Sequence, residues 1–322
     1  MKPQLKRPLL NFTERRKLWV ECLSGDDRNS VCSQLIQMTW NAAVFTVVNE
    51  ARRLAPRHHG DGGGVQLNGM VHELINAGFF ETQMTAIRRL ADCGPFDGNK
   101  ASYSLAALID DMRNCSQVIT REALLAAEGL EYDHSEIKKR HDEYCLSQSR
   151  QGINSFWLPP ALDYARILTR HKEIDALSGK TKKSRQRNDM VGEKIWGKLS
   201  DTVTSACKDI KVYATKYIAH AATPESRAAA NVDKVKVSLA HIKQAHRALC
   251  DVANFISIYL LSGSQQHFLP TPQYDQFLYI TSPLVSTKTL PAVRDAWKHF
   301  ERSLDDSAGW RKLLGAEMPE QE

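Results

Sequence analysis

Apolar residues recur along most of this chain at intervals of three and four, and strict two-residue alternation is scarce. That spacing predicts helices. One begins near Asp27 to Ser30, where capping side chains precede Val31, Leu35, Met38, Ala42, Phe45 and Val48, and Pro56 ends it. Residues 57 to 69, with His58, His59 and three successive glycines, read as a loop. A second helix carries Leu74, Phe79, Met84, Ile87 and Leu90 and stops before Gly94 and Pro95. Ser102 or Ser104 caps a third, with Leu105, Leu108, Ile109 and Met112 inward. Residues 120 to 150 are more polar, fitting one or two weakly packed helices. Pro159 and Pro160 open a helix that ends near Leu177. A long helix is expected from about Asp189 to His220, carrying Ile195, Trp196, Leu199, Val203, Ile210 and Tyr213 and broken by Thr223 and Pro224. The last strong helix spans about Val232 to Leu261, with Gly263 as its C-terminal stop.

After residue 262 the pattern changes. Pro270, Pro272, Pro283 and Pro291 punctuate a stretch expected to be loop, with a short strand at Gln276 to Ile280. A final helix follows from Pro291 through Trp297 and Leu304, and the tail after Gly315 is expected to be disordered. The fold class predicted is all-α: an antiparallel bundle over residues 1–262, its core at about 28–262, and a proline-rich extension over 263–322. No internal repeat is visible.

A chain of 322 residues with 42% hydrophobic content can bury a large core without disulfides. Seven cysteines without a C-x-x-C pair fit reduced thiols, and no cysteine has an obvious activating neighbour. No metal-ligand spacing is present: His58 and His59 diverge, and His134 with His141 lack a third ligand. No cofactor is expected. Gly179, Lys180 and Thr181 lack the upstream glycine and strand of a phosphate-binding loop, and G-x-S-x-G is absent. The basic first ten residues lack the apolar stretch of a signal peptide. The greasiest run, Val252 to Leu261, is half a membrane span. A cytoplasmic chain without membrane partners is the expectation. The net charge of +6 permits an anionic partner without requiring one.

Candidate chemistry concentrates between Lys211 and His220. At helical spacing Tyr213, Lys216, Tyr217 and His220 fall at i, i+3, i+4 and i+7 and share one face. Two phenols, an ammonium and an imidazole on one stripe suit a phosphate or hydroxyl, with His220 as acid–base and Lys216 opposing developing negative charge. The same stripe also fits an ordinary helix end, where a protonated histidine favours the dipole. Residues 180–187 form a basic connector, in which Lys182, Lys183 and Arg185 are candidates for sequence-blind phosphate contacts; a solvated loop is the alternative.

The string from Lys216 to His220, closing a long helix, resembles the R-D-K-x-I-A-H signature of the HEPN superfamily of prokaryotic helical bundles, and more narrowly its AbiU-type abortive-infection branch. Phe79 to Leu90, Ser104 to Asp111 and Trp196 resemble further segments of that branch, in the same order, over residues 28 to 262. The resemblance implies a phage-defence protein that cuts RNA without a metal, as a homodimer, with a regulatory protein partner possible in principle. His220 and Lys216 match the signature. Its arginine does not, because Ala214 stands there and Thr215 occupies the position of an acid. Lysine does not replace a bidentate guanidinium. Arg88 or Arg89 could supply one if their helix packs beside His220; a salt-bridged pair, with Asp110 or Asp111, is the alternative. Two functions therefore stay open: metal-independent RNA cleavage, or a non-catalytic module that binds RNA or protein. A plain scaffolding bundle is a third.

Overall fold

A computed structural model of the chain describes residues 7–54, 68–133, 135–152, 164–181 and 183–269, and beyond them 271–272, 275, 277–278 and 288–305. The chain divides into two compact units, Met1–Pro270 and Thr271–Glu322. Among the described residues there is no strand, only an isolated antiparallel bridge between Thr120 and Met190. The all-α expectation holds.

The first unit contains α1 (Arg7–Ser24), α2 (Val31–Leu54), α3 (Gly69–Leu90), α4 (Leu105–Asn114), α5 (Arg121–Ala127), α6 (Ser135–Arg150), α7 (Tyr164–Ser178), α8 (Glu193–Tyr213), α9 (Pro224–Ala229) and α10 (Leu239–Phe255). α1 is a finding. Only the first ten residues were read, as basic, and no helix was expected before Asp27, yet Phe12, Trp19, Cys22 and Leu23 are buried in the core. Trp19 donates its indole N–H to Asp111 at 2.6 Å, and Arg15 grips the same carboxylate, so α1 is bound to α4. Arg15 also pairs with Asp97 at 3.1 Å and lies over the Phe96 ring.

α2 buries Val31, Leu35, Met38 and Phe45, as the sequence spacing requires, and Phe45 stacks on Phe79 of α3 at 3.8 Å between centroids. It is long and apolar enough to cross a membrane by length and composition. Its other side leaves Val44 exposed in a groove shared with Leu74 of α3. α8 forms the middle of the unit, packing on α10, α3 and α4. Trp196, Leu199, Val203, Cys207 and Ile210 recur there at three- and four-residue steps, and all are buried.

Four boundaries differ from the sequence reading. α8 begins at Glu193, not near Asp189, and its α-helical hydrogen bonding ends at Tyr213. Thr223 and Pro224 do not merely break a helix: Thr223 accepts the Ser226 N–H, and proline opens α9. α10 begins at Leu239, capped by Ser238, because Asn231 enters the left-handed region and a single 3-10 turn fills Val232–Lys234. Past α10, the left-handed residue is Ser262, with φ 53°, and not Gly263. Gly263 is required for space, since a Cβ there would lie 2.8 Å from the Ser257 hydroxyl. The prolines at 159 and 160, and most of the strand expected at 276 to 280, lie outside the described residues; Phe277 and Leu278 form a turn.

The second unit holds α11 (Leu290–Asp305), where Val293, Trp297 and Phe300 are exposed along one side.

One charged cluster is deeply buried. Arg121, with no exposed side-chain surface, pairs with Asp175 of α7 and lies 2.8 Å from Nδ1 of His171. Asp175 also holds Arg185 at 3.4 Å. Removing the carboxylate would leave guanidinium charge desolvated and uncompensated. Asp175→Asn should therefore lower unfolding stability by about 3 to 5 kcal/mol. Arg121→Met combined with Asp175→Leu should cost less than Asp175→Asn alone, measured by urea denaturation.

Candidate functional site

The end of α3 is fixed first. Ser104 caps α4 by accepting the Ala107 N–H, and its hydroxyl reaches the carbonyls of Leu90 at 3.0 Å and Asp92 at 2.6 Å. One serine thus starts α4 and closes α3. Lys211 of α8 adds its ammonium to the α3 terminus, donating to the Ala91 carbonyl at 3.0 Å and lying 3.5 Å from Asp92. Cations are favoured at such an end.

Beyond Tyr213 the α8 backbone widens into a π-helical turn, Ala214–Ala219, packed against α3. Thr215 contributes to the change: its hydroxyl donates to the Lys211 carbonyl at 2.8 Å, a bond that competes with backbone pairing and bends helices. Ala214 is 1% exposed and faces the core. His220 lies past the helix end, and Ala221 follows in the left-handed region at φ 40°. The chain then returns, with the Ala222 N–H donating to the Lys216 carbonyl at 2.8 Å.

The wide turn separates the four-residue stripe. Tyr213 and Tyr217 remain together, stacked with centroids 4.6 Å apart. Lys216 turns to α9 and donates to the Ser226 hydroxyl at 2.9 Å. Tyr217 donates its phenol to Asp233, and Arg227 lies over the Tyr217 ring while donating to the Ala222 carbonyl at 2.7 Å. These contacts make a local clasp from 213 to 233. His220 stands outside it, exposed and without a hydrogen bond or ion pair to a described residue. Helical spacing did not anticipate Arg227, Ser226 or Asp233; Thr-Pro-Glu at 223 to 225, read as a helix start, was the signal for that return.

Arg88 and Arg89 diverge. Arg88 Nε donates to the Thr215 hydroxyl at 3.1 Å, which joins α3 to the wide turn. No hydrogen bond connects Arg88 to His220. Arg89 is exposed and lines a separate cleft with Asp27, Gln34, Asp92 and Tyr103. Asp111, one sequence candidate for pairing with these arginines, is taken by Arg15 and Trp19. In the basic connector Lys183 is exposed, whereas Arg185 is held by Asp175, and Arg187 by Glu122 at 2.9 Å and the Tyr132 ring. Lys182 lies outside the described residues.

Cys145 of α6 has its sulfur 3.7 Å from Nε2 of His141, whose Nδ1 lies 3.1 Å from Asp142, a contact that the H-x-x-x-C spacing on a helix allows. Among the described residues no three His, Cys, Asp or Glu side chains form a group able to hold a metal ion. No protein-family model, curated protein or solved structure matches this chain.

Two outcomes follow from the clasp geometry. Ala221→Gly should raise stability by up to about 1 kcal/mol, since the left-handed region strains alanine and not glycine. Chemical denaturation checks this. The Tyr217 phenol, donating to Asp233 beside that negative charge, is raised above its ordinary value of 10.0. A raised group keeps its favourable contact below the unfolded value and loses it as pH climbs through the folded one. The clasp should open only in alkali above about pH 10. Ultraviolet titration of Asp233→Asn should show one phenol ionising earlier than in the parent.

Proposed function

We propose that this chain is a HEPN-like protein of bacterial phage defence that acts on RNA as a cytoplasmic homodimer, cleaving it without a divalent metal. The observation that carries the reading is the Arg88–Thr215 hydrogen bond, 3.1 Å long, on the wide turn whose last residue precedes His220. It puts a guanidinium from α3 on the segment that resembles the family signature, whose own arginine is absent. A planar guanidinium offers the bidentate phosphate grip that Lys216 lacks. His220, exposed and uncommitted, is available to exchange a proton with solvent or a ribose hydroxyl. In this reading Arg88 exchanges its Thr215 bond for a phosphate oxygen, and a base displaces the Arg227 guanidinium from Tyr217, whose other neighbour is Tyr213.

A second reading has its own support. Ala214 occupies the position of the signature arginine and is packed into the core, while Lys216 and Tyr217 are committed to Ser226 and Asp233. The same surface then binds RNA, or a protein partner, without cutting.

Purified protein should cleave single-stranded RNA in excess chelator. His220→Ala should lower the rate at least about 100-fold, the low end for an acid–base group. Arg88→Lys should not restore what Arg88→Ala removes. Salt-dependent binding with no cleavage, unchanged in His220→Ala, would select the second reading. No binding to any RNA would reject the nuclease reading and leave of the second only the protein partner.

A further inference from the structure

The two arginines at the end of α3 face different chemistry. Arg88 meets a hydroxyl. Arg89 enters a cleft of about 380 Å³ walled by the α1–α2 connection, the last turn of α3 and the segment leading into α4. This volume is at the small end of ligand sites, roughly 300–1,000 Å³. Arg89 makes no ion pair or hydrogen bond with a described residue, although Asp27 and Asp92 line the same cleft. Asp92 is drawn to Lys211, and one oxygen of Asp27 accepts the Asn29 N–H at 2.7 Å, which leaves its second oxygen available.

Gln34 sharpens the pattern. It is 7% exposed and lines the cleft. Both hydrogens of its amide are directed at protein, with Nε2 2.6 Å from the Asn29 carbonyl and 3.0 Å from the Tyr103 carbonyl. Its Oε1 accepts from no described residue. That oxygen has no surface open to the cleft, so the Gln34 amide shapes the wall and does not bind. The cleft therefore presents a guanidinium fork beside a carboxylate, with Tyr103 at its edge.

A phosphate does not suit this lining, because two carboxylates would oppose its charge. A nucleobase edge does. Guanine carries two adjacent acceptors, O6 and N7, which an arginine fork reads in a bidentate pair. It also carries adjacent donors at N1 and N2, which match a carboxylate. Adenine is read by an amide that both donates and accepts; the Gln34 amide has no donor left, and Asn29 is the other amide among the lining residues, so AMP is the competitor to test. We propose that the cleft of Arg89, Asp27 and Gln34 is a guanine-binding subsite, with Arg89 on O6 and N7 and Asp27 on N1–H and the N2 amino group. It rests on the RNA reading only for what the base is attached to: Arg88 then serves the backbone and Arg89 the base.

Mononucleotides test this without any cleavage. GMP and guanosine, AMP, CMP and UMP are titrated against the full chain, followed by NMR line broadening of the ligand. GMP and guanosine should bind alike, and at least about 10-fold more tightly than the other three, as expected for a good bidentate base contact. Arg89→Ala should weaken GMP binding about 10-fold or more, and Asp27→Asn, which keeps an acceptor for the Asn29 N–H, should weaken it similarly. Arg88→Ala should leave guanosine binding unchanged. Equal binding of the four bases, preference for AMP through Asn29, or no guanosine binding by about 10 mM overturns the proposal. Guanosine binding with no RNA cleavage would sink only the nuclease reading. RNA cleavage without base preference would sink only this one.

Discussion

The wide turn that follows α8 packs against α3, and its first residue, Ala214, is buried in the core. A guanidinium at that position would have to be buried, and a desolvated charge without a partner costs several kcal/mol. Alanine removes the cost and lets the chain pack. The approach then places Thr215 within reach of Arg88, so a hydroxyl and a guanidinium meet across two helices instead of along one. Thr215 also takes the Lys211 carbonyl, as Thr202 takes that of Lys198 within α8, so this bond alone does not widen the helix; at Thr215 it coincides with the Arg88 contact. The wide turn, the left-handed Ala221 and the return of the chain through α9 come directly after that contact.

The geometry of α3 explains why its two arginines differ. Consecutive helical residues point about 100° apart, so when Arg88 faces α8, Arg89 must face the α1–α2 connection. The turn at Ser104 fixes the rotation of both, because it ties the α3 carbonyls to the cap of α4. A small change at Ser104 would therefore turn both guanidiniums together. The C-terminal end of α3 is similarly coupled to α8 through Lys211, which pairs with Asp92 and leaves Asp27 as the cleft carboxylate without a cation.

Helix positions were legible because long amphipathic segments declare themselves by period, and the cap at Ser104 by its side chain. α1 was passed over although Phe12, Trp19, Cys22 and Leu23 fall at helical steps, and the Trp19 bond to Asp111 of α4 reveals its role. The stripe was half legible. Tyr213 and Tyr217 keep their expected neighbourhood, since a spacing of four survives the wider turn. Lys216 and His220 do not, because a π turn is caused by tertiary contact and local hydroxyl bonding that periodicity does not encode. The cleft of Arg89 was beyond sequence reading for another reason: its walls come from positions 27, 34, 89, 92 and 103, which only the packing of three helix ends brings together.

His220 poses the remaining physical requirement. An imidazole that exchanges protons in a reaction needs its second ring nitrogen held, so that one tautomer dominates and the ring points at the substrate. Within one chain no described residue does this, and the clasp around Tyr217 turns its polar groups toward each other. In the proposed dimer the missing group would come from the partner if His220 lies in the shared two-fold patch, where each residue of the patch meets the second copy. The catalytic reading and the oligomeric state are therefore one question. An isolated protomer has an accessible histidine that no described residue orients, so a monomeric chain would favour the binding-only reading.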